Sequence, residues 1–181
     1  LSTFCKQVNL VTLAGEEKDN LNFIKSSLKK NVKVKFFNKK NSPTIIKKRF
    51  IDKISKNKLL GVYSINDEKL KKDLELKLIS YIKKHISSCD LILVSDYGHG
   101  FISDKTAKIF SSIKSFFSLN AQINASNRGY HSLRKYKKID SLIINEDELR
   151  HEMRDKIGNI ERMALKLIKD LKINKLIITR G

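Results

Sequence analysis

The chain holds no tryptophan, one proline, two cysteines and seven glycines in 181 residues, and these scarcities exclude whole classes of protein. Two cysteines, Cys5 and Cys89, cannot build a disulfide framework and match no metal-binding spacing. Both read as small buried hydrophobes in a reducing, cytoplasmic compartment. The glycines form no dinucleotide-binding loop and no P-loop, and no serine sits in a nucleophile elbow. No apolar run approaches the length of a membrane span. No basic start with an apolar core marks a signal peptide. The absence of an initiator methionine, with an ending on "LIITRG", points to a chain cut at both ends.

Acids are also scarce. Nineteen Asp and Glu face 38 Lys and Arg, for a net charge of +19. Such an excess fits nucleic acid or an acidic surface as a partner. Here it is mostly Lys, spread along a chain also rich in Ile, Asn and Ser, as an AT-rich coding sequence would give. Nucleic-acid readers concentrate charge and interleave Arg forks or aromatics, so composition is the better account. A basic nucleic-acid-binding α/β module stays as the alternative. Its sign would be strong, saturable binding at moderate salt.

What is present is periodic. "VNLVTLAG" (8–15) predicts a buried strand, residues 19–30 a helix with Leu21, Ile24 and Leu28 inward, and "VKVKFF" (32–37) a strand with one wet face. Residues 44–52 and 58–65 read as two strands with no helix between them, hence an antiparallel hairpin or flap. Asp67 is a plausible N-cap for a long helix carrying Leu70, Leu74, Leu78, Ile82 and Ile86. Strand 91–95 follows. Ser103 then opens a helix with Ala107, Phe110, Ile113 and Phe117 inward. Strands are expected through "FSLNA", at 141–145 and at 175–180, with helices near 147–155 and 159–171. Strands alternating with helices predict a mostly parallel sheet in an α/β fold. Residues 32–65 form an excursion from it rather than a second domain.

Ligands of such sheets collect at the carboxyl ends of the strands, and polar groups cluster at each of these ends. "DLILVSDYGHG" ends in Asp96, Gly98, His99 and Gly100; the others end in "NAQINASNRG", "NEDE" and "TRG". Asp96 can accept hydroxyl hydrogen bonds, and the glycines let backbone approach a ligand. Equally, Asp96 can cap its own turn. His99 could serve as a general base, though a histidine between loop glycines is expected to be solvated. "AGEEKD" is no phosphate loop, because its acids would repel phosphate.

The order of these pieces resembles the ribokinase-like (PfkB) carbohydrate kinase family, most closely the branch with heptose-7-phosphate kinase, the kinase half of ADP-heptose synthase. "SPTIIKKRFID…NKLLGVYSI" looks like the lid strands of that branch. "DLILVSDYGHGFIS" is similar to its strand and loop beside the sugar. "NEDE" fits its Asn-x-x-Glu motif as Asn145 and Glu148, and "ITRG" looks like the start of its Thr-x-Gly nucleotide turn. The likeness spans essentially the whole chain. The Gly-Gly motif expected early in the family and its Gly-Ala-Gly-Asp motif, with the catalytic Asp, are not in the sequence, and "NAQINASNRG" lacks the usual proline.

The resemblance implies an incomplete three-layer αβα domain with a small β-strand lid at about 32–65. It implies transfer of the ATP γ-phosphoryl group to a sugar or sugar phosphate. Asn145 and Glu148 would organise Mg2+. Asn120, Thr179 and Gly181 would meet the nucleotide. Asp96, Gly98 and Gly100 would lie beside the acceptor, and Lys47 and Arg49 on the lid would meet a substrate phosphate. Beside these functional roles stand simpler ones: Glu148 as a residue favouring a helix N-terminus, Lys47 and Arg49 as a solvated hairpin face. The resemblance allows a homodimer through the lid and a fused nucleotidyltransferase domain outside this stretch. It also allows a non-catalytic relative that binds sugar or nucleotide without turnover.

Overall fold

The computed structural model describes residues 1–123, 127, 129 and 131–180. The chain divides into two compact units, Leu1–Asp67 and Glu68–Gly181. In the first, β1 (Val8–Ala14), α1 (Lys18–Ser27) and β2 (Val32–Asn38) form a unit whose two strands pair in parallel. α1 ends before the expected residue 30. The hydroxyls of Ser26 and Ser27 both donate to the carbonyl of Phe23, at 2.9 and 2.8 Å, and Leu28 turns extended. Serine side chains that bond nearby backbone compete with helix continuation.

β3 (Ile46–Ile51) and β4 (Lys58–Ser64) form the antiparallel pair expected from the absence of a helix between them. Asp52 organises their turn. Its carboxylate accepts from the backbone N–H groups of Ile54 (3.1 Å) and Ser55 (2.6 Å), bonds that hold its acidity above the ordinary level. Period-two alternation gives the hairpin two unlike faces. Lys47, Arg49 and Tyr63 share one; Phe50, Leu60 and Val62, all exposed, share the other.

The second unit is built on a four-stranded parallel sheet, β5 (Leu91–Asp96), β6 (Phe116–Ala121), β7 (Ile139–Asn145) and β8 (Ile173–Thr179), in sequential order. The mixed α/β class with a mostly parallel sheet is therefore as expected. Val94, Leu119 and Leu142 are in register across three strands and buried. They join one core cluster with residues of α3 (Asp104–Phe110), α4 (Glu146–Met153) and α5 (Ile160–Leu171), against which Ile82 of α2 (Lys72–His85) packs. A fully buried leucine such as Leu119 or Leu167 contributes about 1.5–3 kcal/mol.

Three local expectations are corrected. Asp67 does not cap α2. The helix begins at Lys72 beyond an extended Lys71, and Asp73 and Glu75 supply the negative charge that the helix dipole favours in its first turn. α3 starts as expected, with Ser103 Oγ accepting from the Thr106 N–H at 3.2 Å, but stops at Phe110. Phe117 thus lies on β6 instead, where it is buried and stacks against Phe110 with ring centroids 5.5 Å apart. Finally, Cys5 and Cys89 are free but only partly buried. Among the described residues no helix is long and apolar enough to cross a membrane.

Candidate functional site

The carboxyl ends of β5, β6, β7 and β8 lie side by side, so the expected polar tips do converge on one edge of one sheet. Ser95 is in register with Asn120, Asp96 with Ala121, and Asn145 with Thr179. Asn120 is partly buried and its side-chain amide donates to the Ile143 carbonyl at 3.0 Å, fastening β6 to β7. Thr179 is exposed at the end of β8. Next to it Arg180 reaches Glu146 at 2.8 Å. Gly181, and the residues 124–126, 128 and 130 of the "NAQINASNRGY" stretch, lie outside the described residues.

At the tip of β5, Asp96 is 4% exposed. One carboxylate oxygen accepts from the Gly98 N–H at 2.9 Å, the turn cap that the sequence allowed. The other accepts from the Tyr136 hydroxyl at 2.7 Å and pairs with Lys135 Nζ at 2.7 Å. His131 Nε2 stands 4.0 Å away. Burial alone would raise the acid's pKa. The charges of Lys135 and His131, with the hydrogen bonds from Lys135 and Tyr136, outweigh it and leave Asp96 below the ordinary carboxylate value. The same burial and the same carboxylate push the Tyr136 phenol well above its usual range. His131 is lowered, chiefly by burial, with Lys135 and His99 adding to the effect and Asp96 opposing it.

Two glycines shape this loop. Gly98 (φ 66°) and Gly100 (φ 76°) take left-handed conformations that favour glycine. A Cβ at Gly98 would come within 2.5 Å of the Asn127 amide nitrogen and 2.9 Å of the His131 ring. Asn127 donates to the carbonyls of Tyr97 and Gln122, at 2.8 and 2.9 Å. His99, expected in solvent, is 6% exposed, with the Tyr97 ring stacked beside it at a centroid distance of 6.4 Å.

At the tip of β7 the Asn-x-x-Glu pair forms a reciprocal cap. Asn145 Oδ1 accepts from the Glu148 N–H at 2.7 Å, and Glu148 accepts from the Asn145 N–H at 2.8 Å. The second oxygen of Glu148 accepts from the Ile123 N–H at 3.1 Å. Glu148 is 5% exposed and, among the described residues, pairs with no cation. The two tips share a connector. Gln122 N–H donates to the Asp96 carbonyl at 2.9 Å, and the next N–H, that of Ile123, binds Glu148.

A third buried acid escaped the sequence reading. Glu152 accepts from the Leu133 N–H at 2.8 Å and from Ser132 Oγ at 3.2 Å, and pairs with Arg134 at 3.3 Å. Its signal was present: Glu148 and Glu152 are four apart and share one face of α4. Lys47 and Arg49 belong to the first unit, on the polar face of the hairpin. There Lys47 Nζ lies over the Tyr63 ring, 5.9 Å from its centroid.

No group of three His, Cys, Asp or Glu side chains converges among the described residues, so a metal built wholly from protein ligands is not indicated. Glu148 fits a different kind of site. Mg2+ keeps most of its waters and takes one or two carboxylates together with substrate phosphates. A buried carboxylate that among the described residues meets N–H donors and no cation can take up such an ion, and its two oxygens retain lone pairs for water.

No family model matches the chain, and no curated protein matches it. Solved structures do. The chain is similar to the tetrameric inhibited form of phosphofructokinase-2 from Escherichia coli, at 13% identity and a TM-score of 0.69, covering 97% of this chain and 57% of that one. Ribokinase from Giardia lamblia matches at 16% identity and a TM-score of 0.65 over 96% of this chain and 53% of that one. A carbohydrate kinase from Agrobacterium tumefaciens matches at 15% identity and a TM-score of 0.61, over 97% and 54%. The fold is thus ribokinase-like, and the chain spans a little over half the length of these structures.

Proposed function

We propose that this chain is the central part of a carbohydrate kinase that moves the γ-phosphoryl group of ATP to a hydroxyl of a sugar or sugar phosphate, heptose 7-phosphate being the substrate that the sequence favours. One observation carries the reading. At the carboxyl edge of a ribokinase-like sheet stands a buried carboxylate, Glu148, with no cationic partner among the described residues.

Phosphoryl transfer needs positioning and charge neutralisation more than covalent chemistry. Mg2+ would supply neutralisation on the phosphates. Glu148, held in place by the Asn145 and Ile123 N–H groups, would orient the waters of that ion, and Asn145 would fix the start of α4 beneath it. Asn120 and Thr179, with Gly181, would border the nucleotide. At the β5 tip, the partly buried Gly98 and Gly100 would bring backbone beside the acceptor sugar. Asp96, engaged by Lys135, Tyr136 and Gly98, would hold that loop's shape and meet the acceptor through it. The β3–β4 hairpin would take the role of lid. Its Lys47 and Arg49 would meet a substrate phosphate, and its apolar face, with Phe50, Leu60 and Val62, would pair with a second copy. The proton-accepting carboxylate is assigned to a residue beyond Gly181.

The test has two arms. Calorimetric titration with a non-hydrolysable ATP analogue should show binding that requires Mg2+. The 181 residues alone, assayed with ATP, Mg2+ and a panel of hexoses, pentoses and heptose phosphates, should release no sugar-dependent ADP. Nucleotide binding unaffected by removal of Mg2+ would overturn the metal assignment. Turnover well above a heat-treated control would place the catalytic acid within this sequence, with Asp96 the first residue to replace.

A further inference from the structure

A second concave surface lies in the same unit, at the opposite end of the strands from the candidate site. The end of α2, the length of α3 and the turn leading into β6 enclose a groove of about 590 Å³. Phe116, at the start of β6, donates its N–H to the carbonyl of Asp90, just before β5, which places this turn at the amino ends of the strands.

The groove has a consistent chemistry. Lys83, Lys105, Lys108 and Lys114 line it, all exposed, and among the described residues no acid, arginine or aromatic side chain does. None of the four makes an ion pair among the described residues. Four other cations of this unit do make ion pairs: Lys135 with Asp96, Arg134 with Glu152, and Arg150 and Arg180 with Glu146. Lys83 and Lys108 sit in the last turns of their helices, where the dipole favours them. That account does not extend to Lys105, in the first turn of α3, or to Lys114, beyond its end. Ile86 and Ile109, partly buried, give the groove an apolar floor.

We propose that this groove docks an acidic peptide segment that carries apolar side chains between its acids. The four ammonium groups would meet carboxylates at the rim, and the isoleucine floor would receive the apolar residues. A nucleic-acid strand fits less well. Single strands are held by aromatic stacking beside the positive charge, and duplexes by Arg forks and polar contacts, and this lining offers none of the aromatics or arginines.

The general positive charge of the chain sets the design of the test. Two quadruple variants remove the same charge: Lys83→Gln, Lys105→Gln, Lys108→Gln and Lys114→Gln in the groove, and Lys6→Gln, Lys30→Gln, Lys53→Gln and Lys69→Gln as the control. All eight lysines are exposed, so both variants should fold. The probes, read by fluorescence anisotropy at about 0.15 M salt, are a labelled Glu/Leu peptide, its counterpart with serine replacing leucine, and a single-stranded oligonucleotide. The groove variant should lose affinity for the Glu/Leu peptide by about tenfold or more, the control by less than about threefold, and the serine peptide should bind more weakly than the leucine one. Equal losses in both variants would reduce the effect to bulk charge and overturn the proposal. So would indifference to the leucines, or tighter binding of the oligonucleotide through the groove lysines.

Discussion

The tips of β5 and β7 each present a buried carboxylate, and the two are balanced in opposite ways. Asp96 faces an ammonium group at 2.7 Å and a phenol at 2.7 Å, so its charge is matched inside the protein. Glu148 faces two backbone N–H groups, at 2.8 and 3.1 Å, and no cation among the described residues. Burying a charge is costly unless it is paired and hydrogen-bonded. The β5 tip meets that cost from within and has little left to offer a cation. The β7 tip is stabilised by dipoles, and among the described residues its carboxylate meets no cation, which leaves it open to a ligand's positive charge. Two acids of similar burial on one edge of one sheet therefore differ in how their charge is met, and the proposed function gives Glu148 the ion and Asp96 the shape of the acceptor loop.

The largest expected effect breaks the balance at β5. Lys135→Met removes the ammonium group and leaves Asp96 buried with the Tyr136 hydroxyl, the Gly98 N–H and, 4.0 Å away, His131. Breaking one side of a buried pair costs about 3–5 kcal/mol, and chemical denaturation should show that loss at neutral pH. Acidity sharpens the test. In the parent protein the Asp96 pKa is depressed, so its contribution is present above the unfolded value of about 3.9 and is lost as pH falls through the folded value below it. Without Lys135, burial, the largest influence on Asp96, should lift its folded pKa above the unfolded one. The folded state then binds the proton more readily, and the variant should recover stability relative to the parent as pH falls from 7 towards about 4. A stability gap that stays constant with pH would mean that Lys135 acts through packing rather than charge.

Glu148→Gln is expected to cost less, about 1–3 kcal/mol, because it weakens two hydrogen bonds to a charged group without orphaning a charge. Its more informative consequence concerns Mg2+. The parent protein should gain thermal stability as Mg2+ is added with an ATP analogue, and the variant should gain less at the same concentrations. An identical Mg2+-dependent shift in the two proteins would make Glu148 a helix-capping residue alone.

These two tips were not equally legible. Asn145 and Glu148 are three residues apart, and the Asn-x-x-Glu pattern marks a strand end and a helix start by local chemistry alone. The partners of Asp96 are distant in sequence. Tyr136 is 40 residues away and Lys135 nearly as far, both at the end of an irregular crossover with no periodicity to locate them. A lone Lys-Tyr pair in a lysine-rich chain carries no signal of its own. The burial of His99 was hidden for the same reason, since a Gly-His-Gly loop gives no indication that it folds inward. Element order, the hairpin and the parallel sheet could be read because apolar periodicity is local. Boundaries failed where side chains compete with backbone, as at Ser26 and Ser27, or where an extended segment delays a helix, as at Lys71. Glu152 was within reach, one helical turn beyond Glu148.

The smallest expected effect separates capping from charge at β7. Asn145 Oδ1 takes the Glu148 N–H at 2.7 Å, so Asn145→Ala should cost about 1 kcal/mol, the usual loss for an N-cap. The same change frees the Glu148 backbone, which should blur the position of the carboxylate and weaken the Mg2+-dependent thermal shift. Asn145→Asp keeps an acceptor at the cap and so should stay within about 0.5 kcal/mol of the parent. It also adds a negative charge beside a carboxylate that meets no cation among the described residues. If the β7 tip binds Mg2+, this charge should enlarge the thermal shift produced by the ion. The two substitutions then move Mg2+ dependence in opposite directions, while only the alanine variant loses noticeable stability. Should both lower the Mg2+ response alike, the side-chain amide itself is required there. The contrast between a charge-balanced tip and an open one would then have to give way to specific recognition by Asn145.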